Sequence, residues 1–144
     1  KSGVSVALGT DGAASNNRLD MWDEMRTAAL VQKCVSGDPT VLTSAQVFKM
    51  ATVAGANALG FDDTGLIKEG FKADVMLVDL DKPHYVGWDL ENLPGYLVYA
   101  GSSADVISTV VAGRTLYENG TFNTMDSDKI IFEACEARKY LTSK

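Results

Sequence analysis

The sequence predicts a mixed α/β fold in two parts, a helical first half and a β-rich second half that ends in a closing helix. Apolar residues recur at helical spacing through residues 20–60, whereas β-branched and continuous apolar runs dominate residues 65–118. Helical spacing returns after Asp126. The character of the sequence changes near Phe61–Asp63, which predicts a boundary there.

Composition limits the class of protein and its partners. The chain has 144 residues, 46% of them hydrophobic, as expected for a globular core. The net charge of −6 argues against a nucleic acid or an anionic membrane as partner. No apolar run approaches the roughly 20 residues of a membrane span. Cys34 and Cys135 form no CxxC pair, which predicts packed thiols in a reduced, cytoplasmic setting.

The first segment predicts a buried strand that ends at a carboxylate. Val4–Leu8 is apolar and rich in valine, and Gly9-Thr10-Asp11-Gly12 follows it. Asp11 is therefore expected at the carboxyl end of a core strand, where α/β proteins place catalytic groups. The alternative is that Asp11 only forms a turn, since Asp-Gly is a common turn pair. Because the chain starts directly on this strand, we expect it to be a piece of a longer protein.

Two helices follow. Asp20 is the expected N-cap of the first, and Thr43 and Gln46 predict a capping box for the second, which is expected to end near Gly60. The apolar face of the first helix is interpreted as core, with a ligand pocket as the alternative; its residues are Met21, Trp22, Met25, Ala28 and Ala29. A parallel strand needs neighbours, and the first half offers none. Exposed apolar surface, or pairing with another chain, is the expected result.

The second half predicts strands and turns. A short strand and a tight turn are expected within Thr64–Gly70, a strand covered on both sides at Ala73–Asp79, and a β-branched strand at Asp105–Val111. Glycine-containing turns then predict a hairpin through Thr115–Glu118. Between these strands lies the long irregular connection 81–95, and the sequence leaves 96–100 open as strand or helical turn. An amphipathic helix over 126–141 is expected to pack back on the rest.

His84 and three loop residues have two interpretations each. His84, the single histidine, is either a metal or pocket ligand or, as we favour, a loop residue packed beside Tyr85 and Trp88. An interface role for its loop is also open. The loop residues either bind substrate or satisfy the backbone of their own loop; they are Ser15, Asn16 and Asn17.

Several motifs together resemble the metal-dependent amidohydrolase superfamily. The segments Gly9–Asn17 and Asp23–Arg26 resemble its last barrel strand and following helix. The segments Gly65–Val75, Val111–Arg114 and Asn119–Gly120 resemble its small β domain. The nearest branch is the chlorohydrolase-like deaminases that act on 5'-methylthioadenosine and S-adenosylhomocysteine.

The resemblance implies a metal site at the mouth of a (β/α)8 barrel. The family's strand-eight aspartate falls on Asp11, which would bind a divalent metal, zinc or iron, and transfer protons as a catalytic residue. A metal lowers the pKa of bound water, and the hydroxide attacks the ring carbon that carries the leaving amine. With this match we favour the functional interpretation of Asp11 over the turn interpretation.

The pattern is incomplete in this chain. The family's His-x-His pair, two further histidines and a glutamate have no counterpart here, and three or more protein ligands are needed to hold such a metal. We therefore expect an enzyme as the parent protein, and a piece that binds no metal and is inactive alone. The implied division is residues 1–60 as the last strand and helices of the barrel, 61–124 as a small β-sandwich-type domain, and 125–144 as a C-terminal helix packing back on the barrel.

Three functions stay open at this point. The first is hydrolytic deamination of an adenine-type substrate by a cytoplasmic homo-oligomer. The second is another amidohydrolase, such as a guanine or cytosine deaminase or a triazine chlorohydrolase. The third is a non-catalytic structural or oligomerisation module in which Asp11 is a turn residue.

Overall fold

The computed structural model describes residues 3–143. Helices in this part of the chain are α1 Met21–Ser36, α2 Ser44–Ala51, α3 Val53–Ala58, α4 Leu93–Tyr99 and α5 Ser127–Thr142. Strands are β1 Val75–Val78, β2 Val106–Val111, β3 Arg114–Glu118 and β4 Thr121–Phe122. Two short 3-10 turns cover Pro83–Tyr85 and Ser103–Asp105. Among the described helices, none combines the length and apolar character that crossing a membrane requires.

Helix α1 forms as predicted and supplies the core. The Asp20 carboxylate accepts a hydrogen bond from the Trp22 amide at 2.9 Å, and Gly37 ends the helix in the left-handed region at φ 66°. The core interpretation of the apolar face is confirmed, because its buried residues pack with α2 and α4 in one cluster: Trp22, Met25, Ala29, Val47 and Val98.

The predicted second helix is two helices. Its capping box is confirmed: the Thr43 amide donates to Gln46 Oε1 at 2.8 Å, and the Gln46 amide donates to Thr43 Oγ1 at 3.4 Å. Thr52 then leaves helical geometry at φ −120° and ψ −101°, which separates α2 from α3. Gly60 closes the segment at φ 76°, as expected for a left-handed stop.

The strands form one four-stranded antiparallel sheet in the order β1-β2-β3-β4. Val75 pairs with Val110, and Thr109 pairs with Tyr117. The predicted β2–β3 hairpin and the Asn119–Gly120 turn are confirmed, the latter with φ of 46° and 88°. A sandwich needs two packed sheets, and residues 3–143 contribute one.

The predicted strand at Val4–Leu8 is wrong for this chain. The segment forms no strand and has no strand pairing, and the Leu8 amide donates to Met50 O at 3.3 Å. Val4 is 73% exposed and Val6 is 54% exposed. The physical reason is that a strand needs a neighbour, so the segment shows the exposed apolar surface that was expected for an unpaired strand.

Two further strand predictions need correction. The expected turn is present at Glu69 and Gly70, but the expected short strand is not, because bends and irregular backbone precede the turn. β1 is not covered on both sides, because Met76 and Leu77 are about half exposed. The undecided segment is helical over residues 96–99 and ends in a turn at Ala100, and α4 packs Val98 against Trp22 and Val47. Residues 61–124 are thus not purely β, because α4 lies in this range and joins the helical core.

Helix α5 is confirmed, but its predicted packing is not seen. The Asp126 carboxylate caps it by accepting from the Lys129 amide at 3.0 Å. Every residue of α5 within the described chain is exposed. The amphipathic face of α5 stays exposed when the surface that it would cover belongs to another segment or chain.

Cys34 and Cys135 are exposed free thiols, so the prediction of packed thiols is wrong.

Gly101 lies at the tightest contact between the helical core and the chain that leads into β2. A Cβ there would lie 2.6 Å from Leu97 O, 2.6 Å from Trp22 Nε1 and 2.8 Å from the Tyr85 hydroxyl. We expect Gly101→Ala to lower the free energy of unfolding by about 1–3 kcal/mol, measured by urea denaturation, because the core must shift to admit the methyl group.

Gly95→Ala is the matched control. A Cβ at Gly95, inside α4, meets only Ser44 Oγ, at an ordinary 3.9 Å. Alanine favours the helix there by up to about 1 kcal/mol, so this variant should be neutral or more stable. Equal stability of the two variants would show that the contact at Gly101 is not tight.

Candidate active site

Asp11 lies in the exposed loop between residues 3–9 and α1. Its backbone is left-handed at φ 58°, a conformation that aspartate and asparagine tolerate better than most residues. Oδ1 accepts a hydrogen bond from the Gly12 amide at 2.6 Å. Within the described chain no residue donates to Oδ2, so this oxygen is available to a ligand. Asp11 therefore has the geometry of a turn residue, and its Oδ2 atom can still accept a bond from a ligand.

Asn16 fixes this loop to α1. Its side-chain nitrogen Nδ2 donates to Thr10 O at 3.0 Å and to Glu24 Oε1 at 2.6 Å. Its backbone amide donates to Gly12 O at 2.9 Å, and its Oδ1 accepts from the Arg18 amide at 3.1 Å. Asn16 therefore satisfies the backbone of the loop, the second of its two predicted roles.

The described residues do not by themselves fit a catalytic metal ion. No group of three or more histidine, cysteine, aspartate or glutamate side chains comes together anywhere in residues 3–143. Asp11 offers one carboxylate, whereas catalytic zinc sites use three protein ligands. A metal at Asp11 would need donors from outside this chain.

A buried carboxylate that sequence reasoning missed organises the second half. Asp105, 3% exposed, accepts hydrogen bonds from Lys82 Nζ at 2.8 Å, from the Tyr85 hydroxyl at 3.0 Å and from the Ser102 amide at 2.9 Å. His84 Nε2 lies 2.9 Å from Asp105 Oδ2. Burial alone would raise the pKa of Asp105, but the hydrogen bonds from Lys82, His84 and Tyr85 outweigh it and lower the pKa to about 2.

His84 contacts Tyr85, one of the two aromatic neighbours that the favoured interpretation expects, and pairs in addition with Asp105. Its ring lies 4.4 Å from the ring of Tyr85, centroid to centroid. The signal that could have revealed its partner is the Ser102-x-x-Asp105 spacing of a capping box, in which Asp105 reaches back to the Ser102 amide. That spacing adjoins the β-branched run of β2, so the run predicted Asp105 as part of the strand.

Hydrogen bonds join this network to the helix that carries the Asp11 loop. Ser103 Oγ donates to Asp20 Oδ2 at 2.6 Å. Arg26 donates from Nε to Tyr99 O at 3.2 Å and from Nη2 to Gly101 O at 2.5 Å. Both halves of the chain therefore meet at the first turns of α1.

The fold is similar to one portion of solved deaminase and chlorohydrolase structures. It superposes with a TM-score of 0.91 and 37% identity on an adenosine deaminase from Xanthomonas campestris with bound zinc, covering 98% of this chain and 32% of that one. The zinc complex of atrazine chlorohydrolase from Arthrobacter aurescens gives a TM-score of 0.81 at 30% identity, with 93% of this chain and 30% of that one covered. The chain belongs to the Amidohydrolase family, whose pattern matches residues 1–116.

Curated relatives carry deaminase names. The chain is 48% identical over 134 residues to 5-methylthioadenosine/S-adenosylhomocysteine deaminase of Dictyoglomus thermophilum, which covers 93% of this chain and 31% of that protein. It is 46% identical over 144 residues to 5'-deoxyadenosine deaminase of Methanosarcina acetivorans, covering 100% of this chain and 33% of the relative. The chain thus spans about a third of the length of the relatives that it matches.

Proposed function

We propose that this chain is the C-terminal portion of a metal-dependent amidohydrolase that deaminates an adenine-type nucleoside such as 5'-methylthioadenosine or S-adenosylhomocysteine. The observation that carries the proposal is the 48% identity over 93% of the chain to a deaminase of that name. The similarity to an adenosine deaminase structure with bound zinc supports a divalent metal, zinc or alternatively iron, in the parent protein.

In this proposal Asp11 is the catalytic and metal-binding residue that the chain contributes. Its Oδ1 is used by the Gly12 amide, which orients the carboxylate, while Oδ2 accepts no hydrogen bond from residues 3–143. The metal, when bound, supplies an activated water at neutral pH. The remaining ligands come from the part of the polypeptide that precedes this chain.

The exposed apolar surface supports a barrel origin for residues 1–60. Several apolar side chains are more than half exposed: Val4 and Val6 in the first segment, and Leu30, Val31 and Val35 on α1. We propose that neighbouring barrel strands and helices cover these side chains in the complete protein. Residues 61–124 then belong to a β-sandwich-type domain that further strands complete. The 125–144 helix packs on the barrel.

Two alternatives have support of their own. The similarity to atrazine chlorohydrolase favours a triazine-type or other amidohydrolase, including a guanine or cytosine deaminase, as the second candidate. A structural or oligomerisation module is the third, because the turn geometry of Asp11 alone does not require catalysis.

The exposed free thiols fit a reducing cytoplasm, and we propose a homo-oligomer there.

The test compares two polypeptides in one assay. Ammonia release from 5'-methylthioadenosine, S-adenosylhomocysteine and guanine, and chloride release from atrazine, are measured with added zinc. We expect activity on the adenine-type substrates from the complete natural gene product, and none from the purified 144-residue chain. Turnover by the 144-residue chain above an Asp11→Asn control would contradict the need for further ligands, and a gene product inactive on every substrate would favour the structural module.

A further inference from the structure

Asn16 occupies a particular place relative to Asp11. It donates to the carbonyl oxygens on both sides of that residue, from Nδ2 to Thr10 O and from its own amide to Gly12 O. Among residues 11–19 it alone is partly buried, while the others are exposed. The side chain of Asn16 therefore holds the peptide unit before the candidate catalytic carboxylate, and its backbone amide holds the Gly12–Ala13 peptide unit that follows.

The Asn16 side chain is itself fully engaged. Nδ2 has two hydrogens, and its two acceptors are Thr10 O and Glu24 Oε1, the latter at 2.6 Å. A hydrogen bond to a carboxylate is about twice as strong as one between neutral groups. Glu24 lies in the first turn of α1, so the clamp is anchored on a rigid element.

From this geometry we infer that Asn16, held by Glu24, is the positioning residue that sets the location and left-handed backbone of Asp11 in the proposed reaction. The inference depends on the proposed function for its catalytic consequence, but the clamp is a property of this chain alone. Holding a reacting group within a fraction of an ångström of its productive geometry lowers the barrier, and loss of such positioning costs rate without weakening substrate binding.

The decisive variant is Asn16→Asp, compared with Asn17→Asp. The two substitutions make the same chemical change one residue apart, and Asn17 is exposed. At Asn16 the change removes both Nδ2 donors and places a second carboxylate beside Glu24. A second pair separates the hydrogen bond from the charge: Glu24→Gln keeps an acceptor oxygen, whereas Glu24→Ala removes it.

The experiment uses the complete gene product and two measurements. Hydrogen exchange followed by mass spectrometry reports the amides of residues 12–18, and steady-state kinetics with 5'-methylthioadenosine reports kcat and KM. We expect Asn16→Asp to speed exchange of these amides about 10-fold and to lower kcat about 10-fold with little change in KM. Asn17→Asp should match the unsubstituted protein, and Glu24→Ala should resemble Asn16→Asp. Glu24→Gln should fall between them, because it keeps the acceptor oxygen but loses the charge. Unchanged exchange in α1 and β2 shows that the fold is intact.

Equal exchange in Asn16→Asp and Asn17→Asp would overturn the clamp. Faster exchange with an unchanged kcat would overturn the positioning role. Absence of deaminase activity in the unsubstituted protein counts against the proposed function instead, and the exchange comparison still decides whether Asn16 holds the loop.

Discussion

Asp11→Asn is expected to lower kcat for deamination by the complete gene product by at least about 100-fold. The substitution removes the charge and one acceptor oxygen but leaves the loop intact for two reasons. Asparagine also tolerates the left-handed φ of 58°, and its remaining oxygen can accept from the Gly12 amide, as Asp11 Oδ1 does at 2.6 Å. A loss of activity would therefore report on the carboxylate chemistry instead of on folding.

The control for this prediction is Asp62→Asn. Asp62 is exposed and lies outside the Asp11 loop, so the variant makes the same charge change without touching the candidate site. Its kcat should equal that of the unsubstituted protein, and the metal content of both variants, measured by atomic emission, shows whether Asp11 also contributes to metal binding. If Asp11→Asn is as active as Asp62→Asn, Asp11 is a turn residue and the catalytic proposal is wrong.

Asp105→Asn is expected to lower the free energy of unfolding by about 2–3 kcal/mol. The Asp105 carboxylate accepts from Lys82, Tyr85 and the Ser102 amide and pairs with His84, and its side chain is 4% exposed. An asparagine keeps one acceptor oxygen and turns an amide group toward donors, so at least one buried donor loses its partner. Because Lys82 and His84 are partly exposed, water offsets part of the loss.

The measurement is urea denaturation of the 144-residue chain at several pH values, with Asp81→Asn as control. Asp81 is exposed in the same segment and should unfold like the unsubstituted chain. The pKa of Asp105 is lowered from 3.8 to about 2, so the stability that it contributes is fully present above pH 3.8 and is lost as the pH falls through about 2. Asp105→Asn should flatten this part of the pH dependence, and a dependence identical to that of Asp81→Asn would show that Asp105 is not the stabilising group.

Local sequence signals determined the elements whose stabilising contacts lie close in the chain. The N-cap at Asp20, the capping box at Thr43 and the Asn119–Gly120 turn depend on contacts within a few residues, and all three were predicted correctly. The family also followed from the sequence, since several short motifs in the right order were specific together.

Tertiary structure decided the features that depend on distant partners. Val4–Leu8 has the composition of a strand but no neighbour to pair with, and α5 has an apolar face but nothing in residues 3–143 that buries it. The network around Asp105 joins residues about twenty positions apart, and the Asn16–Glu24 contact depends on how the loop folds onto α1. A sequence pattern records what a segment prefers, whereas burial and long-range hydrogen bonds are set by the partners that the fold brings to it.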